Sequence, residues 1–354
     1  MSRLISSDSH VTLPQAKIKA HLESRYHAAY DDAVAGFESR VLAQGTGKSN
    51  REGLLEYNHP AFGRPGSYDP IERLKDMDTD GIDCEVLYCE VSAFRYLYLM
   101  EEGMKSATRA FNDSLAEFEA ADPSRLVVSY QVPVHDIDFA IQEVERLAAK
   151  GARSLQLPLF PNELGLPDYP DDRYERLWEL LDDVGVPLCF HVGINTSLDE
   201  LASRDPTEHG GVWKPMVALS TAQAFGFWIM TGLLERHKSL RLVFVESGVG
   251  WVPWYLDMLD DFVTRQQRTF PDIVDLPSEY FHRNIHLTFI DEPDTVQLLR
   301  SRVGVENLMW STDYPHPVSS WPDSRSIIEK NFVGVPEIER DLMVQGNAAR
   351  LWKI

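Results

Sequence analysis

The sequence predicts an α/β fold, a distorted (β/α)8 TIM barrel, from three observations. Eight short apolar runs recur along the 354 residues, amphipathic segments separate most of them, and no G-x-G-x-x-G loop marks a dinucleotide-binding sheet. Continuous apolar runs are typical of parallel strands that helices cover on both faces. Because the runs number eight, a closed barrel fits better than a doubly wound sheet, which is the alternative. The predicted strands are 4–7, 84–88, 126–132, 154–157, 188–191, 242–246, 286–290 and 308–311.

The segments between these runs carry the period of amphipathic helices. In the segment 171–186, apolar side chains recur at intervals of three and four residues, as Tyr174, Leu177, Trp178 and Leu181 do. The same pattern predicts helices over 69–82, 107–123 and 136–152. Glycine is the expected stop where a helix ends in the left-handed conformation, and the candidates are Gly81, Gly151 and Gly185.

Two long stretches interrupt this alternation within a single predicted domain of residues 1–354. They are predicted as insertions after strands 1 and 5, at about 14–68 and 195–225. Long loops in compact domains are usually functional or disordered. Both stretches contain aromatic residues and histidine, so we expect partly ordered lids or interface segments above a site.

Composition and charge exclude several classes of protein. A net charge of -21 repels phosphate groups, so we expect no nucleic-acid partner and no binding to an anionic membrane. No apolar run approaches the roughly 18 residues of a membrane span. Three cysteines without a CxxC pair suit a reducing compartment, and the first residues do not resemble a secretory signal. We therefore expect a cytoplasmic protein that acts on a small-molecule substrate.

Ionisable side chains stand at the carboxyl ends of four predicted strands, where barrel enzymes place their sites. They are Asp8 and His10 after strand 1, His191 in strand 5, Glu246 in strand 6, and Asp313 with His316 after strand 8. A single histidine that closes a strand is more often structural, but four strand ends together favour a site. Imidazole and carboxylate ligands suit Zn²⁺, Mn²⁺ or Fe²⁺. The mutual repulsion of three carboxylates also favours a bound cation.

Five segments in this order give the chain a family resemblance. They are "DSHVTLP" at the start, "FHVG" at 190–193, "FVESGVGWVPWYLDMLDD" at 244–261, "MWSTDYPHP" at 309–317 and "GNAARLW" at 346–352. With these motifs the chain resembles the amidohydrolase superfamily. Within it, the chain is similar to the amidohydrolase-2 group, which includes aminocarboxymuconate semialdehyde decarboxylase and the resorcylate-type decarboxylases.

The resemblance implies a distorted barrel with His10, His191 and Asp313 as metal ligands and Asp8 where some members have a metal-binding acid. The chain departs from the superfamily pattern at two positions. Asp8 and His10 form Asp-x-His instead of His-x-His, as in the resorcylate-type enzymes, and Glu246 stands where many members have histidine. Predicted strand 4 also ends without a lysine, so a carbamate-bridged pair of metals is not expected.

Several functions remain open at this point. With one metal, the site suits non-oxidative decarboxylation of a small aromatic or cyclic carboxylate, or hydrolysis by a metal-bound water. In both reactions Asp313 would carry the proton, and His316 would orient Asp313 or polarise the substrate. If Glu246 were also a ligand, a dinuclear iron or manganese oxygenase would be possible. A catalytically silent barrel subunit is the non-enzymatic alternative. Zinc is the expected ion, with manganese or iron as alternatives.

A few further residues are candidates for minor roles. Arg64 and Trp213 could contact an anionic or aromatic substrate, and Cys89 could line the pocket. The aromatic stretch 250–261 is more typical of a core or subunit interface, and we expect a homodimer or a higher oligomer. The remaining histidines considered are predicted to be surface or core residues: His59, His135, His209, His237, His282 and His286.

Overall fold

The computed structural model of the protein describes residues 3–44, 63–89, 96–193, 199–207 and 210–354. Eight parallel strands form one sheet in the order of the sequence. The strands are β1 Ile5–Val11, β2 Cys84–Cys89, β3 Leu126–Gln131, β4 Ser154–Gln156, β5 Leu188–His191, β6 Leu242–Val245, β7 Ile285–Phe289 and β8 Leu308–Trp310.

Helices alternate with these strands, as the periodicity predicts. The α-helices of the described residues are α1 Gln15–His21, α2 His27–Gln44, α3 Pro70–Asp80, α4 Met104–Glu119, α5 Ile137–Ala149, α6 Glu175–Val184, α7 Asp199–Arg204, α8 Met216–Met230, α9 Leu233–Arg236, α10 Val252–Arg265, α11 Pro277–Asn284, α12 Arg300–Val303, α13 Ser324–Asn331, α14 Glu337–Asp341 and α15 Asn347–Trp352. Two π-helical segments, Thr295–Leu299 and Leu342–Gly346, lead into α12 and α15. Among the described residues, none of the helices combines the length and the apolar character needed to cross a membrane.

The sheet closes on itself where the segment after β8 meets β1. Ser9 forms a parallel bridge with Tyr314, and the amide of His10 donates to the Tyr314 carbonyl over 2.6 Å. The amide of Asp313 donates to the Asp8 carbonyl over 2.9 Å. These bonds join the last strand to the first, which confirms the predicted (β/α)8 barrel.

Two buried layers hold the barrel together. Alternate strand residues fill the interior, among them Ile5, Val86, Val243 and Met309, and Trp352 of α15 packs with them. A larger apolar layer lies between strands and helices. Ile5 and Cys84 of this inner layer are the first residues of β1 and β2, so the apolar filling begins at the amino-terminal end of the barrel. His191, a predicted site residue, is the last residue of β5 and lies at the carboxyl end.

All eight predicted strands are confirmed, with ends that differ by a few residues. The main correction concerns β1, which runs through Asp8 and His10 to Val11 rather than ending before them. The predicted helix stops are confirmed, because Gly81, Gly151 and Gly185 have φ of 74°, 87° and 65°. In the first predicted insertion the structure describes α1 and α2, whereas residues 45–62 lie outside the described residues. The role of both insertions as lids stays a prediction.

Candidate metal centre

A β-bulge in β1 aims two predicted ligands into the barrel. Ser6 lies opposite Glu85 of β2 and Ser9 lies opposite Leu87, so three steps along β1 face two steps along β2. The extra residue shifts the alternation of side chains, which lets Ile5 and then Asp8 and His10 face the interior. Bulges are common beside active sites because they redirect side chains in this way.

His10 occupies the centre of the candidate site. Its Nε2 lies 3.1 Å from Oδ1 of Asp313 and 3.9 Å from Oδ1 of Asp8. The His10 ring lies 4.7 Å from the ring of His191 and 4.6 Å from the ring of His316, measured between centroids. Strands at the closure of the barrel therefore bring together side chains that are about 300 residues apart in sequence.

Five predicted site residues form two overlapping groups of potential metal ligands. Asp8, His10 and His191 form the first group, and His10, Asp313 and His316 form the second. Within each group one ligand atom from every residue lies within 4.8 Å of the others. The two groups share His10, so the five side chains meet around this one residue.

The donor set fits a cation. Asp8 is fully buried, and neither of its carboxylate oxygens has a well-formed hydrogen bond to any residue in the described part of the chain. Burying a carboxylate without such bonds is costly unless a positive charge lies beside it. Asp313 is equally buried at the other side of His10. A divalent ion among these nitrogen and oxygen atoms would offset both negative charges.

His191 is oriented to use Nε2 as a ligand. Its Nδ1–H donates to the Val192 carbonyl over 2.7 Å, which directs the other ring nitrogen towards the site. Nε2 lies 3.4 Å from Oδ1 of Asp8. Burial alone would lower the pKa of His191, but the charges of Asp8 and Glu246 and hydrogen bonding raise it to about 9. A proton on this nitrogen and a metal ion would thus occupy the same place beside Asp8.

The pKa of His10 shifts in the direction opposite to that of His191. Burial lowers the pKa of His10 well below its ordinary value, and the positive charges of His316, His191 and Arg73 lower it further. Both effects favour the neutral form of His10, and a neutral imidazole is the form that binds metals.

Two acidic residues at the barrel mouth have unusual backbone conformations. Glu246 has φ of 55° and Asp313 has φ of 56°. Such left-handed conformations are uncommon outside glycine and concentrate at functional sites. The Glu246 amide donates to Oγ1 of Thr288 over 2.7 Å, which ties the end of β6 to β7. Glu246 belongs to neither ligand group, so its predicted role as a ligand stays a prediction.

Two residues that support the site were not predicted from the sequence. Arg73 of α3 is fully buried, donates to Oε2 of Glu85 over 2.6 Å and to the His10 carbonyl over 2.8 Å, and lies 4.2 Å above the ring of Tyr314. The ring of Tyr88 contacts that of His191 at 5.6 Å. A charged residue in a buried strand, Glu85, is the sequence signal for a buried partner, but nothing in the sequence distinguishes Arg73 from its neighbours.

The minor candidates are not members of the two ligand groups. Arg64 donates to Asp76 and to the hydroxyl of Tyr314, and its guanidinium lies 3.8 Å from the ring centre of Trp321. Trp213 is buried, and Cys89 contacts the amide of Gln131. His59 and His209 lie outside the described residues.

Comparisons with known proteins agree with this architecture. A gamma-resorcylate decarboxylase of Rhizobium radiobacter is 26% identical over 80% of this chain and 86% of its own length. The structure of a 5-carboxyvanillate decarboxylase from Sphingomonas paucimobilis matches with a TM-score of 0.77, 23% identity and full coverage of both chains (100% each). A dihydroxybenzoic acid decarboxylase from Polaromonas sp. JS666, solved with manganese and 2-nitroresorcinol, has a TM-score of 0.74 and 20% identity over 100% of this chain and 97% of that one.

A match to a family model identifies the family of this chain. The amidohydrolase model matches residues 62–354, which is most of the chain and includes β2 to β8. The match confirms the resemblance that the motifs at the strand ends indicated. The protein belongs to the amidohydrolase family.

Proposed function

We propose that the protein is a metal-dependent decarboxylase that removes CO₂, without oxidation, from a small hydroxylated aromatic carboxylate. One observation carries this proposal: over 80% of its length, the chain is 26% identical to a gamma-resorcylate decarboxylase, of which the match covers 86%. The Asp8-x-His10 arrangement and the acid on the other side of His10 are consistent with it.

We propose one divalent cation, held by Asp8, His10, His191 and Asp313. The two ligand groups share His10, and both carboxylates approach the same atom, His10 Nε2, which supports one ion rather than two. The nitrogen and oxygen donors suit zinc, as the sequence predicts, and manganese, which the Polaromonas structure contains. When bound, the cation would attract the carboxylate and hydroxyl oxygens of the substrate and offset their charge.

In the proposed reaction, Asp313 in its acid form gives a proton to the ring carbon that bears the carboxylate. The bond from that carbon to the carboxylate then breaks, and its electron pair restores the aromatic ring as CO₂ leaves. Asp313 regains its proton from water, so no oxidant or reductant is consumed. His316 lies against His10 in the group that contains Asp313, where it can orient the acid. Glu246, which directly follows β6, would be the second acid of this reaction and would act on a substrate hydroxyl.

The partner of this chain is proposed to be a second copy of itself. Trp254, Met258 and Phe262 lie four residues apart on α10 and are 64%, 51% and 46% exposed. An exposed apolar stripe of this kind is typical of an interface between subunits. The three cysteines are buried thiols, which supports the predicted cytoplasmic location.

The proposal is tested by incubating manganese-loaded protein with 2,6-dihydroxybenzoate and with 5-carboxyvanillate in D₂O and measuring CO₂. We expect stoichiometric CO₂ and one deuterium on the ring carbon that lost the carboxylate. The Asp313→Asn variant should be slower by about 10²–10⁴-fold, the usual contribution of a general acid. Hydrolysis of esters or lactones without release of CO₂ from either acid would instead support the hydrolase alternative.

A further inference from the structure

Three buried hydroxyl groups meet where β1 joins the segment after β8. Ser6 and Ser9 belong to β1, Thr312 precedes Asp313, and all three side chains are at most 1% exposed. Oγ1 of Thr312 lies 2.9 Å from Oγ of Ser6 and 3.0 Å from Oγ of Ser9. We call these three residues the seam cluster.

The seam cluster admits a consistent chain of hydrogen bonds. The Ser6 hydroxyl donates to the Asp8 carbonyl over 2.7 Å, so its only proton is used there. Thr312 can then donate to Ser6, and Ser9 can donate to Thr312. The remaining lone pairs accept backbone protons, from Thr312 N to Ser6 Oγ over 2.9 Å and from Tyr314 N to Thr312 Oγ1 over 3.2 Å. Ser6 and Thr312 are therefore both donors and acceptors, and Ser9 is a donor, which makes a buried network rigid.

This network acts on the backbone that carries the two acids of the site. Ser6 and Ser9 stand at the two ends of the β1 bulge that contains Asp8. The Asp8 carbonyl, which accepts from Ser6, also accepts from the amide of Asp313 over 2.9 Å. The Asp8 and Asp313 carboxylates lie on either side of His10. The distance between them thus depends on the hydrogen bonds that the three hydroxyls of the seam cluster make.

We propose that the seam cluster is a positioning device that sets Asp8 and Asp313 at the spacing a single divalent cation requires. The cluster contains none of the proposed metal ligands; it acts through the bulge and through the left-handed backbone of Asp313. This inference rests on the proposed metal-dependent function. It gives three uncharged residues a function that the metal ligands do not perform themselves, which is to position the two acids.

The decisive variant is Thr312→Val, because valine keeps the shape of threonine and removes the hydroxyl. Without Oγ1, the Tyr314 amide and the Ser9 hydroxyl lose a buried partner. Thr312→Ser restores the hydroxyl and should restore the site. Ser114→Ala is the matched control, since the Ser114 hydroxyl is also buried and, within the described part of the chain, bonds only inside α4 and to the Lys17 carbonyl.

The measurement is calorimetric titration of metal-free full-length protein with MnCl₂, with circular dichroism to check folding. We expect Thr312→Val to weaken manganese binding by about 10- to 100-fold, the usual effect of losing a group that orients metal ligands. The manganese affinities of Thr312→Ser and Ser114→Ala should stay within about three-fold of that of the native protein.

Two results would overturn the inference: native affinity in Thr312→Val, or equal weakening in Thr312→Ser and Thr312→Val. If Thr312→Val does not fold, Ser9→Ala takes its place, because it removes one hydroxyl from the same network and leaves the backbone bonds intact. Failure of the native protein itself to bind manganese would count against the proposed function, whereas unchanged binding in the variants would count against the seam cluster alone.

Discussion

His191 shows how a single side chain connects the backbone to the candidate metal centre. One ring nitrogen is fixed by the Val192 carbonyl, and the other lies 3.4 Å from Asp8. The Asp8 carboxylate has no well-formed hydrogen bond within the described ranges, so a cation and His191 are its natural partners. The site therefore depends on His191 for both geometry and charge.

We expect His191→Ala to purify without bound metal, because the ion would lose one nitrogen ligand while Asp8 and Asp313 would still repel each other. Metal content per chain, measured by mass spectrometry after gel filtration, checks this. His135→Gln is the control, since His135 belongs to neither ligand group. Full metal content in His191→Ala would mean that the ligands are wrong.

The residues of the site differ in how far sequence alone could identify them. Asp8, His10, His191 and Asp313 could be predicted because ionisable side chains next to apolar strands are rare, and these four stood at the same end of three strands. Arg73 could not, because it is one of several charged residues on α3, and only the folded chain shows that it is buried. Its role comes from contacts with Glu85 and Tyr314, which sequence spacing does not encode.

At the scale of elements, apolar runs were sufficient to predict eight strands but not the bulge in β1. One extra residue leaves the composition of the run unchanged, yet it decides which side chains face the barrel interior. Helix ends were easier to predict, because glycine has a direct steric reason to occupy the left-handed conformation.

Glycine substitutions test that steric reason. Gly185 ends α6 at φ of 65°, and a Cβ added there would meet no atom within 4 Å, so Gly185→Ala should cost about 1 kcal/mol from backbone strain alone. Gly36 also has open space but lies inside α2, and Gly36→Ala should stabilise the protein by about 0.5–1 kcal/mol. Urea unfolding of both variants gives the free energies. Equal changes of the same sign in the free energies of unfolding of the two variants would contradict the steric explanation.

At the scale of the whole molecule, the net charge of -21 and the apolar stripe on α10 have opposite effects on association. Like charges on two copies repel, whereas burial of Trp254, Met258 and Phe262 favours a shared interface. Because salt screens the repulsion and leaves the apolar contribution, we expect a stable dimer or higher oligomer at physiological ionic strength.

The Trp254→Lys and Met258→Lys double variant should shift the protein to a monomer, because two charges would be placed in the proposed interface. Light scattering coupled to gel filtration at several protein concentrations measures the mass. Ile338→Lys is the matched control, since Ile338 is 75% exposed on α14, outside the stripe. The proposed interface would be wrong if the native protein were already a monomer, or if the double variant kept the mass of the native protein.

We propose that the closure of the barrel creates one metal site around His10. Anomalous diffraction at the manganese edge, from crystals grown with MnCl₂, would locate the ion. We expect one peak per chain, within coordination distance of His10, His191, Asp8 and Asp313. With no peak beside His10, or with two peaks about 3.5–4 Å apart as in two-metal enzymes, the proposed single site would be wrong.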